Sequence, residues 1–328
     1  MTRLRHMYAH SPALWITAVC SIAVPFALAG SRYYQDIAVM TFLWAGLAGS
    51  WNLYSGYSRR ISAGHAAYLG IGAYTSTLLH LNWGVSPWVG MLAGGALSAL
   101  AALIIGAATL RLTGTFFTLS TIAFNRILEV AALTATALTA GSLGLFLPHN
   151  PGLGNMIFTG RLPWAVITWA YMLVVIAACV LMERSKLGYC LIALGENQRA
   201  AESLGVNSTL VLLRAFVASA VLTSFGGTLL AQYVAFIEAT SVMGMMNSVQ
   251  FILLAIAGGM GTAFGPMVGS FILTPASLLL RGGFAGISGL HGAVLGIILI
   301  LVLLYRPSGI LPTLRALFTK LRRRKGGG

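Results

Sequence analysis

Residues 86–110 run through 25 positions without one charged side chain, and residues 163–182 do so over 20. An α-helix rises about 1.5 Å per residue, so each run is long enough to cross the ~30 Å hydrocarbon core of a bilayer. Such stretches recur along the chain, which carries only six acidic and 20 basic residues in 328. Hydrophobic residues make up 58% of it and charged residues 8%, with a mean hydropathy of +0.86. A soluble fold of this length would have too little polar surface to face water. The solvent is therefore lipid, where backbone amides find no partner outside their own segment and must bond as helices. The apolar runs are continuous rather than alternating, which excludes membrane barrel strands.

Counting stretches near twenty residues predicts an all-α, polytopic membrane helix bundle of about ten transmembrane helices. They fall at 12–30, 37–54, 61–81, 86–110, 113–138, 163–182, 209–231, 243–257, 264–280 and 288–305. With the N-terminus cytoplasmic, ten crossings return the C-terminus to the cytoplasm. Arg3, Arg5, Arg59, Arg60, Arg111, Arg184, Lys186, Arg199, Arg214, Arg306, Arg315 and five tail cations then lie inside, and Arg32, Arg161 and Arg281 outside. Lys and Arg are retained on the cytoplasmic side, so this division of sixteen against three selects the orientation. The remaining cation, Arg126, falls inside a span. Residues 1–310 thus read as one transmembrane domain with a cytoplasmic loop at 183–208, and 311–328 as a basic cytoplasmic tail. The first apolar segment reads as a retained helix, while Ala27-Leu28-Ala29 leaves a cleaved signal peptide open.

A net charge of +14 would point to nucleic acid in a soluble protein, but here the cations sit between apolar runs and no nucleic-acid partner is expected. Lys320, Arg322, Arg323, Arg324 and Lys325 crowd the tail, either solvated or against anionic lipid headgroups. Cys20 and Cys179 lie in apolar runs and Cys190 in the loop, which gives no disulfide framework. The longest outside loop, 139–162, is rich in Gly, Pro and Asn and too small for a separate domain. Any extracytoplasmic recognition module must be another protein.

Small residues at four-residue spacing, as at Gly90 and Gly94 or Gly261, Gly265 and Gly269, let helix backbones approach closely in lipid. Two clusters are denser, 64–72 and 258–266. Such density either breaks a helix and exposes backbone groups to a solute or makes a plain bend. His65, alone among small residues, reads first as a hydrogen-bonded packing residue and second as a solute contact. In the fifth span Asn125, Arg126 and Glu129 share one helix face. With a start near Thr113, Glu129 stands roughly 24 Å up, in the outer half of the bilayer. Charge at that depth is either an internal structural pair or part of a solute path. The candidate path is thus Gly64, His65, Gly70, Gly72, Asn125, Arg126 and Glu129.

Between the sixth and seventh spans, residues 183–207 hold Glu183, Glu196 and Glu202, half of all the acidic side chains. Glu196 to Leu204 is rich in helix formers and is followed by Gly205 in a C-terminal capping position. The segment reads as a short docking helix with Ala200 and Ala201 open to a partner surface. Here the chain resembles the permease subunits of ABC importers, whose cytoplasmic coupling helix carries Glu-Ala-Ala followed by glycine. Glu196-Asn197-Gln198-Arg199-Ala200-Ala201-Glu202-Ser203-Leu204-Gly205 is most similar to the branched-chain amino acid branch, the LivM type. The likeness continues through Ser62-Ala63-Gly64-His65-Ala66-Ala67-Tyr68, Gly70-Ile71-Gly72-Ala73-Tyr74, Arg111-Leu112-Thr113-Gly114-Thr115-Phe116-Phe117, the 258–269 cluster and Tyr305-Arg306-Pro307-Ser308-Gly309. It covers about 55–310 and departs from the family's frequent Thr-Gly-Gly at Thr139-Ala140-Gly141.

The resemblance implies a multi-pass permease of the inner (plasma) membrane, translocating branched-chain or related amino acids, with importers of urea or short amides as relatives. Its implied partners are a sister permease in a heterodimer, two cytoplasmic ABC ATPase subunits and an extracytoplasmic substrate-binding protein, within membrane lipid. The coupling residues would be Glu196, Asn197, Arg199, Ala200, Ala201, Glu202 and Gly205. The chain has no Gly-Lys-Ser or Gly-Lys-Thr phosphate loop, so ATP would be hydrolysed by the partners and no cofactor bound here. No His-Glu-x-x-His or clustered His and Cys points to a metal. Two rival classes remain. An intramembrane serine protease would use Gly286-Ile287-Ser288-Gly289 with His65, at a place where Gly and Ser are ordinary turn residues. An ion-coupled secondary transporter needs acidic groups at depth, and only Glu129 qualifies.

Overall fold

The computed structural model describes residues 16, 18–27, 30–148, 151–283, 296 and 309–311. The expected spans at 12–30 and 288–305, the Gly286 to Gly289 motif and the tail at 311–328 lie, but for isolated positions and the stretch 18–27, outside the described residues. Within them the helices are α1 (Ala23–Ala27), α2 (Arg32–Ser58), α3 (His65–Trp83), α4 (Pro87–Thr109), α5 (Thr115–Thr134), α6 (Thr136–Thr139), α7 (Arg161–Arg184), α8 (Lys186–Glu196), α9 (Gln198–Ser203), α10 (Ser208–Val234), α11 (Ala239–Met243), α12 (Met245–Gly258) and α13 (Gly265–Gly283).

α2 forms the axis. Nearly all of its side chains from Ile37 to Ser58 are buried, because α7, α10, α12 and α13 pack around it. Its polar groups consequently meet protein rather than lipid: the Trp51 indole donates to Ser62 O at 2.7 Å, and Ser50 Oγ lies 3.2 Å from the Tyr171 hydroxyl. α3, α4 and α10 build a second layer on this axis. There the small residues do what lipid packing asks of them, since a Cβ at Gly72 would lie 2.1 Å from Ser224 O on α10.

Five helical stretches among the described residues are long and apolar enough to cross a membrane: α4, α5, α7, α10, and α11 with α12 together. The expected span at 37–54 falls within α2, and those at 61–81 and 264–280 match α3 and α13 but begin before them, by four residues and by one. Boundaries shift elsewhere. The expected fifth span at 113–138 stops at Thr134, where the chain turns through Ala135 into α6 and a short 3-10 turn, Gly141–Leu143. The expected eighth, at 243–257, is preceded by α11 and bends at Gly244, whose extended ψ of 140° separates the two helices. The loop after α6 and the segment after α10 also form a two-residue ladder that continuous apolar runs do not announce. β1 (Leu145–Phe146) pairs antiparallel with β2 (Phe236–Ile237), Leu145 opposite Ile237.

The two dense glycine clusters behave differently. Residues 64–72 do not break a helix, for α3 runs unbroken from His65. Residues 258–266 do, and Gly259 and Gly261 take φ of 128° and 76°, backbone that a Cβ would strain.

Candidate functional site

On α5 the buried stripe is Phe117, Thr121, Asn125, Glu129 and Ala132, one residue per turn. Each residue advances the helix about 100°, so Arg126 leaves that stripe and stands on the open side. The expected pair forms, with Arg126 Nη1 donating to Glu129 Oε1 at 2.9 Å, but it is lopsided: the arginine side chain is 67% exposed and the glutamate 4%. The pair is internal at Glu129 alone. Asn125 Nδ2 donates to Met243 O at 2.9 Å. Asn125 Oδ1 and Glu129 Oε2 are buried with no hydrogen-bond partner among the described residues. On the open side a shallow hollow of about 570 Å³ runs past Ala123, Arg126, Ile127, Val130, Ala131 and Thr134. Arg126 is eleven residues from the start of α5, about 17 Å along a span of roughly 30 Å, and so near mid-depth.

Gly64, His65, Gly70 and Gly72 line none of this hollow. A Cβ at Gly64 would lie 2.3 Å from Thr121 O on α5, and one at Gly70 2.1 Å from Met243 Cγ on α11. With Gly72 against α10, these positions seat α3 on three neighbours. His65 is fully buried. Ser219 Oγ commits its proton to Ser50 O at 2.7 Å, so His65 Nε2, 2.7 Å away, must donate to it. Nδ1, 2.9 Å from Ser62 Oγ, then accepts from that hydroxyl. The chain of bonds joins α3, α10 and α2.

The loop expected to be cytoplasmic holds two helices rather than the one expected over 196–204. Asn197 breaks it with φ of −153°, and its side chain accepts from Ala200 N at 3.1 Å as the cap of α9. Glu196 thus ends α8. Ala200 is exposed, as are Asn197, Arg199, Glu202 and Gly205, whereas Ala201 is only 4% exposed and packs inward. The expectation that both alanines face a partner is corrected, since α9 rests its Ala201 side on the bundle. Leu204, 87% exposed, stands at its end. Hydrogen bonds from Ser208 and Gln198 hold the Glu202 carboxyl below the usual range.

Sequence reasoning missed what pins this loop. Arg59 pairs with Glu196 at 2.5 Å. Arg60 donates to Gln198 Oε1 at 2.6 Å and to the carbonyls of Leu110 and Leu112 at 3.0 and 3.1 Å. One guanidinium therefore joins the end of α2, the start of α9 and the α4–α5 corner. Both arginines read in sequence only as markers of the inner side, and Gln198 only as part of a motif. A second pair of links secures the break between α12 and α13. Asn52 accepts from Gly261 N at 2.8 Å and donates to Thr262 O at 3.1 Å, while Glu183 accepts from Ala263 N at 2.9 Å and the Tyr57 hydroxyl at 2.8 Å. The backbone freed by the glycines is taken up by these side chains rather than offered to a solute. Among the described residues, no three His, Cys, Asp or Glu side chains gather where a metal ion would be held.

An axial helix sheathed by long apolar ones, with most of the charged side chains among the described residues near helix ends, defines an integral helical membrane protein. The chain belongs to the family described as branched-chain amino acid transport system / permease component, whose model matches residues 33–303, and it is of the LivM type. It is 30% identical over 325 residues to the high-affinity branched-chain amino acid transport system permease protein LivM of Salmonella typhimurium, covering 92% of this chain and 75% of that one. The corresponding LivM of Escherichia coli is 28% identical over the same shares. The permease protein LivH of Escherichia coli is 30% identical over 185 residues, 53% of this chain and 58% of its own. PsaBC from Streptococcus pneumoniae in complex with Fab superposes with a TM-score of 0.47 and 14% identity, over 83% of this chain and 92% of that one. The chain is thus a permease component of a transport system.

Proposed function

We propose that this chain is the permease subunit through which an ATP-driven importer carries a branched-chain amino acid across the inner membrane. It crosses about ten times with both termini cytoplasmic. In support, Arg59 and Arg60 meet Glu196, Gln198 and the α4–α5 corner at one end of the bundle, while Arg32 and Arg161 begin α2 and α7 at the other. The observation that carries the reading is the capped, exposed helix α9, keyed by Arg60 to the corner from which α5 rises. A cytoplasmic ATPase subunit receives α9 through Ala200 and Leu204, and its closure moves α5 through Arg60. ATP is bound and hydrolysed by two such partners, and an extracytoplasmic binding protein delivers the solute.

The open face of α5 turns toward a sister permease, and the solute passes between the two. Arg126 gives one of its five N–H groups to Glu129 and keeps the others for the solute carboxylate. Exposed Ile127 and Val130 flank it with apolar surface suited to a branched side chain. Gly64, His65, Gly70 and Gly72 serve the path by seating α3 against α5, α11 and α10. Proteoliposomes holding both permeases, the ATPases and the binding protein test this. ATP-dependent leucine uptake is expected; uptake driven by an ion gradient without the ATPases, or hydrolysis stimulated by a sugar and by no amino acid, would overturn it.

A further inference from the structure

At the end of the bundle opposite α9, α2 and α7 begin side by side and their first turns open onto a cavity of about 460 Å³. Arg32, Gln35, Phe158, Gly160, Arg161 and Leu162 are among its lining. Neither helix satisfies its first amides with a capping side chain, since Ser31 and Gly160 at the N-caps make no such bond. Two positive helix ends therefore converge there. Arg161 pairs with Asp36 at 2.7 Å and lies over the Tyr233 ring, whose hydroxyl donates to the same carboxylate. Asp36 thus offsets one arginine. Arg32 has no ion-pair or hydrogen-bond partner among the described residues. Gln35 is only 6% exposed, lines the cavity, and its side-chain amide likewise has no partner among the described residues.

Gln35 is otherwise buried and brings an unpartnered amide to the cavity, and an unpaired arginine on the outer side runs against the inward preference of cations. An anion in the cavity answers both. Its level identifies the source: Tyr33 and Tyr34, 45% and 46% exposed, follow Arg32 directly, and exposed Trp83 and Trp88 stand at the same end on α3 and α4. Exposed aromatic rings at span ends mark the lipid headgroup layer.

We propose that this cavity binds the phosphate of an anionic phospholipid in the outer leaflet. The phosphate oxygens accept from Arg32, the Gln35 amide and the uncapped amides of Arg161 and Leu162, and the acyl chains descend past exposed Val166 and Val174. The leaflet rests on the orientation proposed above, whereas the site does not: a reversed chain would carry the same site in the inner leaflet. The test uses the complete complex, delipidated in detergent, titrated with phosphatidylglycerol and read by native mass spectrometry. Wild type should retain one lipid that Arg32→Gln combined with Gln35→Leu releases, with affinity about tenfold weaker. Gln35→Leu alone keeps the fold and should weaken binding about threefold. Equal retention in the double variant would overturn the site. So would millimolar inorganic phosphate protecting the complex as well as the lipid does, or loss of binding-protein docking with the lipid count unchanged.

Discussion

Glu129→Gln tests whether the charge at mid-depth is held as the structure holds it. Arg126 and Glu129 meet at 2.9 Å, and the two ends of the pair differ, one side chain 67% exposed and the other 4%. Charge centres about 4 Å apart at an effective dielectric near 20 attract by about 4 kcal/mol. Surface pairs retain about 0–1 kcal/mol of such attraction, and breaking a buried pair costs about 3–5 kcal/mol. A pair buried at one end falls between, and the Gln oxygen still accepts one hydrogen bond from Arg126. The expected loss is about 2 kcal/mol, roughly thirtyfold in the folded ratio. Thermal unfolding in detergent, followed by gel filtration with fluorescence detection, should show a midpoint lower by about 4 °C. Arg126→Gln with Glu129→Gln should recover most of that stability, because no charge is then stranded, yet transport poorly for want of the carboxylate ligand. Wild-type stability in Glu129→Gln would refute the pairing, and full uptake in the double variant would refute the role of Arg126 toward the solute.

Gly72→Val should abolish folded protein, since its Cβ would fall 2.1 Å from Ser224 O, whereas Gly154→Val, with nothing within 4 Å, should fold normally; yield after membrane extraction separates them. Asn197→Ala removes the cap of a six-residue helix, a loss of about 1 kcal/mol, so amide exchange over 199–203 should quicken about fivefold while the rest of the chain is unchanged. Ala140→Gly should raise stability by about 0.5–1 kcal/mol, measured as a higher unfolding midpoint, because Ala140 holds a left-handed φ of 56° that glycine adopts without strain.

Sequence read the helices best where lipid alone decides them. The runs at 86–110 and 163–182 became α4 and α7 within a few residues, because length and apolarity are local properties. It could not tell that α2 is the axis, since Ser50 and Asn52 look like flaws in a lipid-facing helix until Tyr171 and Thr262, 121 and 210 residues away in sequence, are brought to them. That Asn125 and Glu129 share a face and that Arg126 can reach Glu129 was legible from helical spacing, but that Arg126 stands off that face on the open side depends on which neighbour lies against α5. The same holds at the end of the bundle that carries α9. Asn197 and Gly205 are local signals, whereas the reach of Arg60 to Leu110 and Gln198 exists only once α2, α4 and α9 are assembled. Ala140 shows the reverse case: its departure from the family's glycine was visible, and the positive φ supplies its consequence.

The central claim is that a partner ATPase works on this chain through the exposed side of α9. Ala200→Trp places an indole on that side, where Ala200 is exposed, and leaves the inward-packed Ala201 untouched. The decisive measurement is ATP-dependent leucine uptake in proteoliposomes of the complete complex, with hydrolysis stimulated by the loaded binding protein recorded in parallel. Ala200→Trp should insert and melt as wild type does while both activities fall at least tenfold, equivalent to about 1.4 kcal/mol of lost coupling. Wild-type uptake together with wild-type stimulated hydrolysis would contradict the account.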